Sequence, residues 1–221
     1  MQPSTTALPG RAIHVMGTLA DEERRMLLDA LEASRARHAD EWPARRAAGE
    51  IFWLNVWQRT DGASIRDLPL DRWVRQLIAR YYRDEAVLLD GYGFVLNPAG
   101  SRTQAWHLDY SEHYSNLLVP ITPLTPQNAT QYIALPASLP EHVYRRAIAD
   151  TDVVDVPLLE AHGATIAQLA AEQFAIVKMD FGTVHRGIAN RGSDDRAMFY
   201  VSVRRPGASS TSEPLFQTFE K

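Results

Sequence analysis

The sequence predicts a mainly β domain with a helical buttress, arranged as a jelly roll. Two observations support this prediction. Short runs rich in Val, Ile, Tyr, Phe and Thr follow one another after Asp84, and Pro, Gly, Asn and Asp separate them. Two helical segments precede these runs, and many short strands with helices beside them are typical of a sandwich or jelly roll. An open α+β sheet is the alternative arrangement.

The N-terminal part of the chain contains the predicted helices. Acidic residues open the segment 19–37, and its leucines share one face of a helix. The segment 70–82 carries a continuous apolar stripe at helical spacing. Between them, 51–60 alternates like a strand, with Trp53, Asn55 and Trp57 on one face. Trp53 and Trp57 are both assigned first to the core, because buried aromatic residues are more often packing residues than ligand contacts, and Trp57 is also kept as a candidate ligand contact.

The rest of the chain is predicted to be mostly β. The predicted strands cover 86–97, 103–108, 114–121, 129–135, 152–156, 173–180 and 195–204. Short helical pieces are expected at 140–148 and 163–171. The length of 221 residues suits one domain, with 1–85 as the N-terminal buttress, 86–205 as the β core and 206–221 as a C-terminal tail.

Composition excludes several classes of protein. Apolar residues make up 45% and charged residues 23%, as in ordinary globular domains. There are no cysteines, so disulfides and thiolate metal sites are impossible. The net charge of −4 argues against nucleic-acid binding, and no apolar run approaches the roughly 18 residues that span a bilayer. We therefore expect a cytoplasmic protein with no nucleic-acid or membrane partner and leave its oligomeric state open.

The chemistry-bearing pattern begins with His107 and Asp109. Residues two apart on a strand point to the same side, so this imidazole and carboxylate converge. His185, near another predicted strand, can supply a third ligand. Two histidines and one carboxylate form the facial triad of non-haem Fe(II) oxygenases, although a zinc hydrolase can use the same ligands.

Arg196 distinguishes between these chemistries. It opens the last predicted strand, on which one face is purely apolar and the other carries Arg196, Tyr200, Ser202 and Arg204. In a sandwich the apolar face packs against the core, so the mixed face would line a cavity. A guanidinium there can bind a carboxylate with two hydrogen bonds. An anionic cosubstrate that chelates a metal at its other end would satisfy both features.

These residues resemble a known family, the Fe(II)/2-oxoglutarate-dependent dioxygenases, and within it the phytanoyl-CoA dioxygenase-like group. The matching residues are Trp106-His107-Leu108-Asp109, Leu118-Val119-Pro120-Ile121, Ile133-Ala134-Leu135-Pro136-Ala137-Ser138, His185-Arg186-Gly187-Ile188-Ala189-Asn190 and Arg196. The resemblance implies a double-stranded β-helix (a cupin-like jelly roll), Fe(II) held by His107, Asp109 and His185, and a salt bridge from Arg196 to 2-oxoglutarate. It also implies the use of O2 to hydroxylate or otherwise oxidise an unactivated C–H bond.

Two features of the sequence refine what the resemblance implies. The family often has a small hydroxyl residue two places after the distal histidine, where this chain has Gly187. Thr130, Gln131 or Thr183 is the expected replacement contact to 2-oxoglutarate. The presence of Asp109 argues against halogenation, because related halogenases have a small residue in place of that carboxylate.

The substrate is expected to be a small molecule, either amino-acid-derived or a specialised metabolite. Its expected pocket residues are Tyr110, Tyr114, Trp106, Trp57 and Arg204. Two other functions remain open from the sequence. One is a cupin-like metalloenzyme that does not use 2-oxoglutarate, and the other is a non-catalytic jelly-roll binding module.

Overall fold

A computed structural model of the chain describes residues 13–58, 69–149 and 153–208. Its elements in chain order are β1 (Ile13–Thr18), α1 (Asp21–Arg37), α2 (Trp42–Ala47), β2 (Phe52–Gln58), α3 (Pro69–Tyr81), β3 (Leu88–Asn97), β4 (Tyr114–Pro120), β5 (Thr130–Ala134), α4 (Glu141–Ala147), α5 (Val156–Glu160), β6 (Thr165–Leu169), β7 (Ala175–Met179), β8 (His185–Gly187) and β9 (Arg196–Arg204). None of these helices is both long enough and apolar enough to cross a membrane.

The strands form two antiparallel sheets. The major sheet has the order β1-β7-β4-β9-β3-β2, and the minor sheet has the order β6-β5-β8. This arrangement confirms the predicted mainly β jelly roll with a helical buttress. β1 and β2 form the two edges of the major sheet, so residues from the N-terminal part of the chain complete it.

The two long helices cover the outer face of the major sheet. α1 and α3 supply Leu27 and Leu77 to one buried cluster that also contains Phe199 of β9. The acidic start of α1 has two uses. The carboxylate of Glu23 accepts the Ala20 backbone N–H at 2.8 Å, which caps the helix, and the Trp73 indole N–H at 2.9 Å, which joins α3 to α1. The predicted helices at 19–37 and 70–82 are therefore confirmed.

The alternation predicted for β9 is confirmed. Its apolar residues Ala197, Phe199, Val201 and Val203 lie in the cluster under the helices. Arg196, Met198, Tyr200 and Ser202 point to the other side of the sheet and line a cavity. The reason is the two-residue period of a strand, which separates two side-chain types onto two faces.

The prediction that Trp53 and Trp57 share one face of β2 is wrong. The register against β3 shifts between Asn55 and Trp57, where a β-bulge inserts one extra residue. The bulge turns Trp57 toward the helices, where it stacks on Tyr92 with ring centroids 6.2 Å apart. Gly93 allows β2 to approach here, since an added Cβ would lie 2.4 Å from the Leu54 carbonyl oxygen.

Three other predicted elements differ from the structure. The helix expected at 163–171 is the strand β6, because pairing with β5 overrides the helical preference of its alanines. In 103–108 the structure has only isolated bridge residues rather than a strand. At 152–156 the described residues lead into α5, whose first turn is capped by the Asp155 side chain accepting the Leu158 N–H at 3.0 Å. The residues 59–60 of the predicted strand lie outside the described residues.

Candidate metal and cosubstrate site

His107 and His185 meet because their backbones pair. Each donates its backbone N–H to the carbonyl of the other, at 3.1 and 3.0 Å, in an isolated antiparallel bridge. Residues directly opposite each other across such a bridge place their side chains on the same face. The ring centroids of the two imidazoles are accordingly 4.6 Å apart.

Asp109 completes a group of three ligands. One of its carboxylate oxygens is 3.9 Å from Nε2 of His107, and the other is 3.5 Å from Nε2 of His185. The candidate ligand atoms of the three residues lie within 4.8 Å of one another. Among the described residues, these three form the group that could hold a metal ion. Two imidazoles and one carboxylate on one side of a cavity fit an octahedral divalent metal with positions left for other ligands.

Both imidazoles are oriented by hydrogen bonds to backbone carbonyls. Nδ1 of His107 lies 2.8 Å from the Ala105 oxygen, and Nδ1 of His185 lies 3.0 Å from the Thr183 oxygen. A carbonyl oxygen can only accept, so each Nδ1 carries the proton. Each Nε2 then carries the lone pair and faces Asp109, which is the tautomer that a metal ligand needs.

A polar pair behind Asp109 holds its carboxylate. The amide Nδ2 of Asn116 donates to Oδ2 of Asp109 at 2.5 Å, and the hydroxyl of Ser202 donates to Oδ1 of Asn116 at 2.5 Å. Asn116 and Ser202 are direct cross-strand partners of β4 and β9, and both are buried. Sequence reasoning placed Ser202 on the mixed face of β9 without assigning it a role, and it missed Asn116, although a polar asparagine within the apolar strand 114–120 was a usable signal.

The residue after Asp109 has an unusual backbone. Tyr110 has φ of 62°, in the left-handed region that side chains other than glycine rarely adopt. Its ring packs on Tyr114 with centroids 4.8 Å apart and lines the cavity. Burial and the neighbouring Asp109 carboxylate raise the pKa of Tyr110 above its usual range, so the phenol stays protonated.

The triad opens into a cavity of about 130 Å³. Its inner end is buried and polar, with Gln104, Thr130 and Arg196 beside Gly187. Its outer end lies on strands of the major sheet. The side chains that form this outer wall are Trp53, Asn55, Val95, Leu118, Met198 and Tyr200. The exposed Asn55 marks where the cavity reaches the surface.

Arg196 is held rigidly at the inner end. It is 3% exposed, and its Nη1 donates to the carbonyls of Asn128 and Ala129 at 2.7 and 3.2 Å. Its Nε is buried without a hydrogen-bond partner. Burial lowers the pKa of Arg196 to about 10, so the guanidinium remains charged at neutral pH at an energetic cost that an anion would offset.

Glycine at position 187 has a steric reason. A Cβ there would lie 2.6 Å from Oε1 of Gln104 and 3.0 Å from Nη2 of Arg196. Gln104 Oε1 also accepts the Gly187 backbone N–H at 2.7 Å. The space that a hydroxyl side chain would occupy is therefore filled by Gln104 and Arg196, and Gln104 was not among the residues predicted from the sequence.

The structure brings some of the predicted cosubstrate residues to the cavity but not others. Thr130 and Arg196 line its inner end. Gln131, the next residue on β5, points to the opposite face, where its side-chain oxygen accepts from Arg186 at 2.9 Å. The hydroxyl of Thr183 donates to the Asp180 carbonyl at 2.8 Å and supports the turn before His185.

The predicted substrate residues are divided in the same way. Tyr110 lines the cavity, whereas Trp57 lies under the helices. Trp106 faces away from the cavity and has the guanidinium of Arg186 over its ring at 4.3 Å.

The other two predicted substrate residues are not among the residues that line the cavity. Arg204 forms a buried ion pair with Asp90 at 3.0 Å. The Tyr114 hydroxyl lies 3.4 Å from the second oxygen of the same Asp90 carboxylate.

Trp53, which was assigned to the core, lines the outer wall of the cavity. It packs edge-to-face on Tyr200 with ring centroids 5.5 Å apart. The Tyr200 hydroxyl donates to Oδ1 of Asn55 at 2.5 Å. Alternation on β9 pointed to Tyr200, and pairing with β3 places Trp53 opposite Val95, another residue of the cavity wall.

Comparisons with known proteins identify the fold. No protein-family model matches the chain, and no curated protein matches it. Among solved structures, the carbocyclase SnoK and the epimerase SnoN, both non-haem α-ketoglutarate-dependent enzymes of nogalamycin biosynthesis, align with TM-scores of 0.59 and 0.58 at 12% and 13% identity. These alignments cover 98% and 96% of this chain and 93% and 91% of the two enzymes.

A third solved structure contains ligands. HygX from Streptomyces hygroscopicus, with nickel and 2-oxoglutarate bound, aligns with a TM-score of 0.53 at 12% identity, over 90% of this chain and 85% of HygX. The chain therefore has the jelly-roll fold of non-haem 2-oxoglutarate-dependent enzymes, and the predicted fold is confirmed.

Proposed function

We propose that this protein is a non-haem Fe(II)- and 2-oxoglutarate-dependent oxygenase that oxidises a C–H bond of a small molecule. The observation that carries the proposal is one cavity with a His-Asp-His triad on its wall and a charged, buried Arg196 at its inner end. A metal alone would explain the triad. The combination of a metal site with a buried cation fits a cosubstrate that has one chelating end and one carboxylate end.

The residues present fit both groups. His107, Asp109 and His185 would hold the iron, since both Nε2 atoms face the carboxylate. Arg196 would bind the distal carboxylate of 2-oxoglutarate. Without that carboxylate, the Nε of Arg196 is buried and has no hydrogen-bond partner. Thr130 and Gln104 line the same end and would supply neutral hydrogen bonds in place of the hydroxyl residue that Gly187 excludes.

The chain's own contribution to the reaction is positioning and the exclusion of water. Iron with 2-oxoglutarate and O2 supplies oxidation of a C–H bond coupled to decarboxylation of the keto acid. The backbone bridge between His107 and His185 fixes the ligands, and Arg196 fixes the cosubstrate at the inner end. The apolar side chains of Leu118, Met198 and Val95 separate the reacting region from solvent.

The outer wall favours an uncharged specialised metabolite over a free amino acid. Among the described residues that line the cavity, the charged side chains are Asp109 and Arg196, and the proposal assigns both. The ammonium and carboxylate of an amino acid would find no other opposite charge on that wall. An indole, a phenol and an amide from Trp53, Tyr200 and Asn55 suit a neutral molecule with rings and hydroxyl groups.

Hydroxylation is the proposed outcome of the reaction. The neighbours SnoN and SnoK are an epimerase and a carbocyclase, so this fold also supports other outcomes of C–H oxidation. Substrate position relative to the metal decides between them.

Anaerobic titration of Fe(II) and 2-oxoglutarate into the metal-free protein tests the proposal. A weak visible charge-transfer band is expected in the wild type, and it should be lost in Asp109→Ala and weakened in Arg196→Ala. His113→Ala, which alters an exposed histidine outside the triad, is the matched control and should keep the band. Iron binding without any band would favour a cupin-like metalloenzyme, and no iron binding would favour a binding module.

A further inference from the structure

We propose that Asn116 and Ser202 form a positioning relay that sets the orientation, and hence the metal affinity, of Asp109. The inference rests on the proposed function, because it assigns the relay to the metal site. Asn116 and Ser202 touch neither His107 nor His185 through any described hydrogen bond, so their effect on the metal passes through the carboxylate.

The direction of every hydrogen bond in the relay is determined by chemistry. An ionised carboxylate only accepts, so the Asn116 side chain must turn its amide nitrogen toward Asp109. Its oxygen then faces Ser202, and the serine hydroxyl must be the donor. A flipped amide would keep a bond to Ser202 with its direction reversed, but it would lose the bond to Asp109 and turn its oxygen toward the carboxylate, so a single orientation satisfies all three groups.

Burial makes this arrangement rigid. Asn116 is 4% exposed and Ser202 is 7% exposed, and the two residues are opposite each other in the register of β4 and β9. Asp109 itself lies outside the strands and is followed by Tyr110 in a left-handed conformation. The relay therefore ties a carboxylate on a loop to the centre of the major sheet.

The consequence for metal binding is preorganisation. A carboxylate rotates freely about its Cβ–Cγ bond unless something holds it. The Asn116 amide holds it in the rotation that presents oxygens to Nε2 of both His107 and His185. Outer groups that orient a metal ligand typically change metal affinity by about 10- to 100-fold when they are removed.

The experiment measures Mn(II) binding to the metal-free protein by the electron paramagnetic resonance signal of the free ion. Asn116→Leu keeps the side-chain size and removes the donor, and we expect about 10- to 100-fold weaker binding. Ser202→Ala should weaken binding by a smaller factor, and Ser202→Thr, which retains the hydroxyl, should restore it. Changed visible absorption of the Co(II)-substituted variants should report the altered ligand orientation independently of affinity.

A matched control separates this role from loss of stability. Ser115 is adjacent to Asn116 on β4, is equally buried, and bonds to Tyr82 and the Met179 carbonyl on the opposite face of the sheet. Ser115→Ala removes a buried hydroxyl as Ser202→Ala does, so both should reduce the thermal stability of the metal-free protein. Mn(II) affinity should remain within about twofold of wild type in Ser115→Ala alone.

A double variant tests whether the two residues act in series. If Ser202 acts through Asn116, Asn116→Leu/Ser202→Ala binds Mn(II) no more weakly than Asn116→Leu. Effects that multiply overturn the relay, and so does wild-type affinity in Asn116→Leu. A wild-type protein that binds no divalent ion would overturn the proposed function as well, whereas wild-type affinity in Asn116→Leu overturns the relay alone. If Asn116→Leu fails to fold, the variants at Ser202 still test the relay. Equal Mn(II) affinity in Ser202→Ala and Ser202→Thr would overturn it.

Discussion

The two faces of β9 show how one strand separates stability from function. On the outer face, Phe199 and Val201 pack into the apolar cluster under the helices. On the inner face, Arg196 and Ser202 form hydrogen bonds that tie the cavity wall together. Adjacent residues on the same strand therefore have different uses. Substitutions on the outer face should cost folding free energy, and those on the inner face should cost ligand binding.

The largest expected effect is on metal affinity, when a proposed metal ligand is removed. His185→Ala removes one of the three proposed metal ligands, a side chain whose position the bridge with His107 fixes. Metal affinity should fall by more than about 100-fold, which is the upper range for removing a group that only orients a ligand. Calorimetric titration with Mn(II) measures this loss, and circular dichroism should show an unchanged fold. Retention of wild-type affinity would remove His185 from the site.

The next effect breaks the outer face. Phe199→Ala leaves a cavity between the sheet and α3, where Trp73 packs at a centroid distance of 5.7 Å. The free energy of unfolding should decrease by about 3–5 kcal/mol. Urea unfolding measures it, and the protein that remains folded should bind Mn(II) within about twofold of wild type. A large loss of metal affinity in this variant would mean that the two faces are coupled.

Arg196→Met, on the inner face, should have the opposite effect to Phe199→Ala: it should weaken ligand binding more than it lowers stability. The substitution removes the guanidinium donor, and losing a net charge-assisted hydrogen bond worth about 1.5–3 kcal/mol should lower affinity for 2-oxoglutarate about 10- to 150-fold. A bound carboxylate favours the charged guanidinium and raises its pKa from about 10, which is why the wild type gains from binding the anion. Titration of 2-oxoglutarate into Mn(II)-loaded protein measures the effect.

The stability of the same variant distinguishes the faces further. Removing a buried, desolvated charge is favourable, whereas the Asn128 and Ala129 carbonyls lose their donor. These opposing terms should leave the free energy of unfolding within about 2 kcal/mol of wild type. A loss as large as that of Phe199→Ala would show that Arg196 is chiefly a structural residue.

The smallest effect uses the bulge in β2. Trp57→Phe changes the cluster under the helices and should cost about 1 kcal/mol of folding free energy without altering binding of 2-oxoglutarate. Trp53→Phe alters the cavity wall two strands from Ser202. The change in tryptophan fluorescence that 2-oxoglutarate binding produces in the wild type should disappear in this variant. Urea unfolding and tryptophan fluorescence compare the pair. A ligand-dependent fluorescence change that persists in Trp53→Phe and disappears in Trp57→Phe would reverse this assignment.

Features of the fold with local causes were predictable from the sequence, whereas features that depend on distant residues were not. The alternation of β9 and the stripe of α3 are local periodicities, so their faces were predictable. The helix expected at 163–171 is a strand because β5 lies beside it, and no property of those residues alone reveals that neighbour. Gln104 likewise escaped prediction because Gly187 and Arg196, which surround it, are distant in sequence.

The residue types that carry the chemistry and the period of the strands are local properties of the amino-acid sequence. Histidine, aspartate and arginine carry their chemistry wherever they lie, and a two-residue period fixes which strand neighbours share a face. Which of these side chains meet depends on how distant segments pair in the folded chain. The bridge between His107 and His185, the bulge that separates Trp53 from Trp57, and the hydrogen bond from Asn116 to Asp109 all depend on strand pairing. Pairing register is set by packing across the whole sheet, so it is a property of the folded chain rather than of any segment.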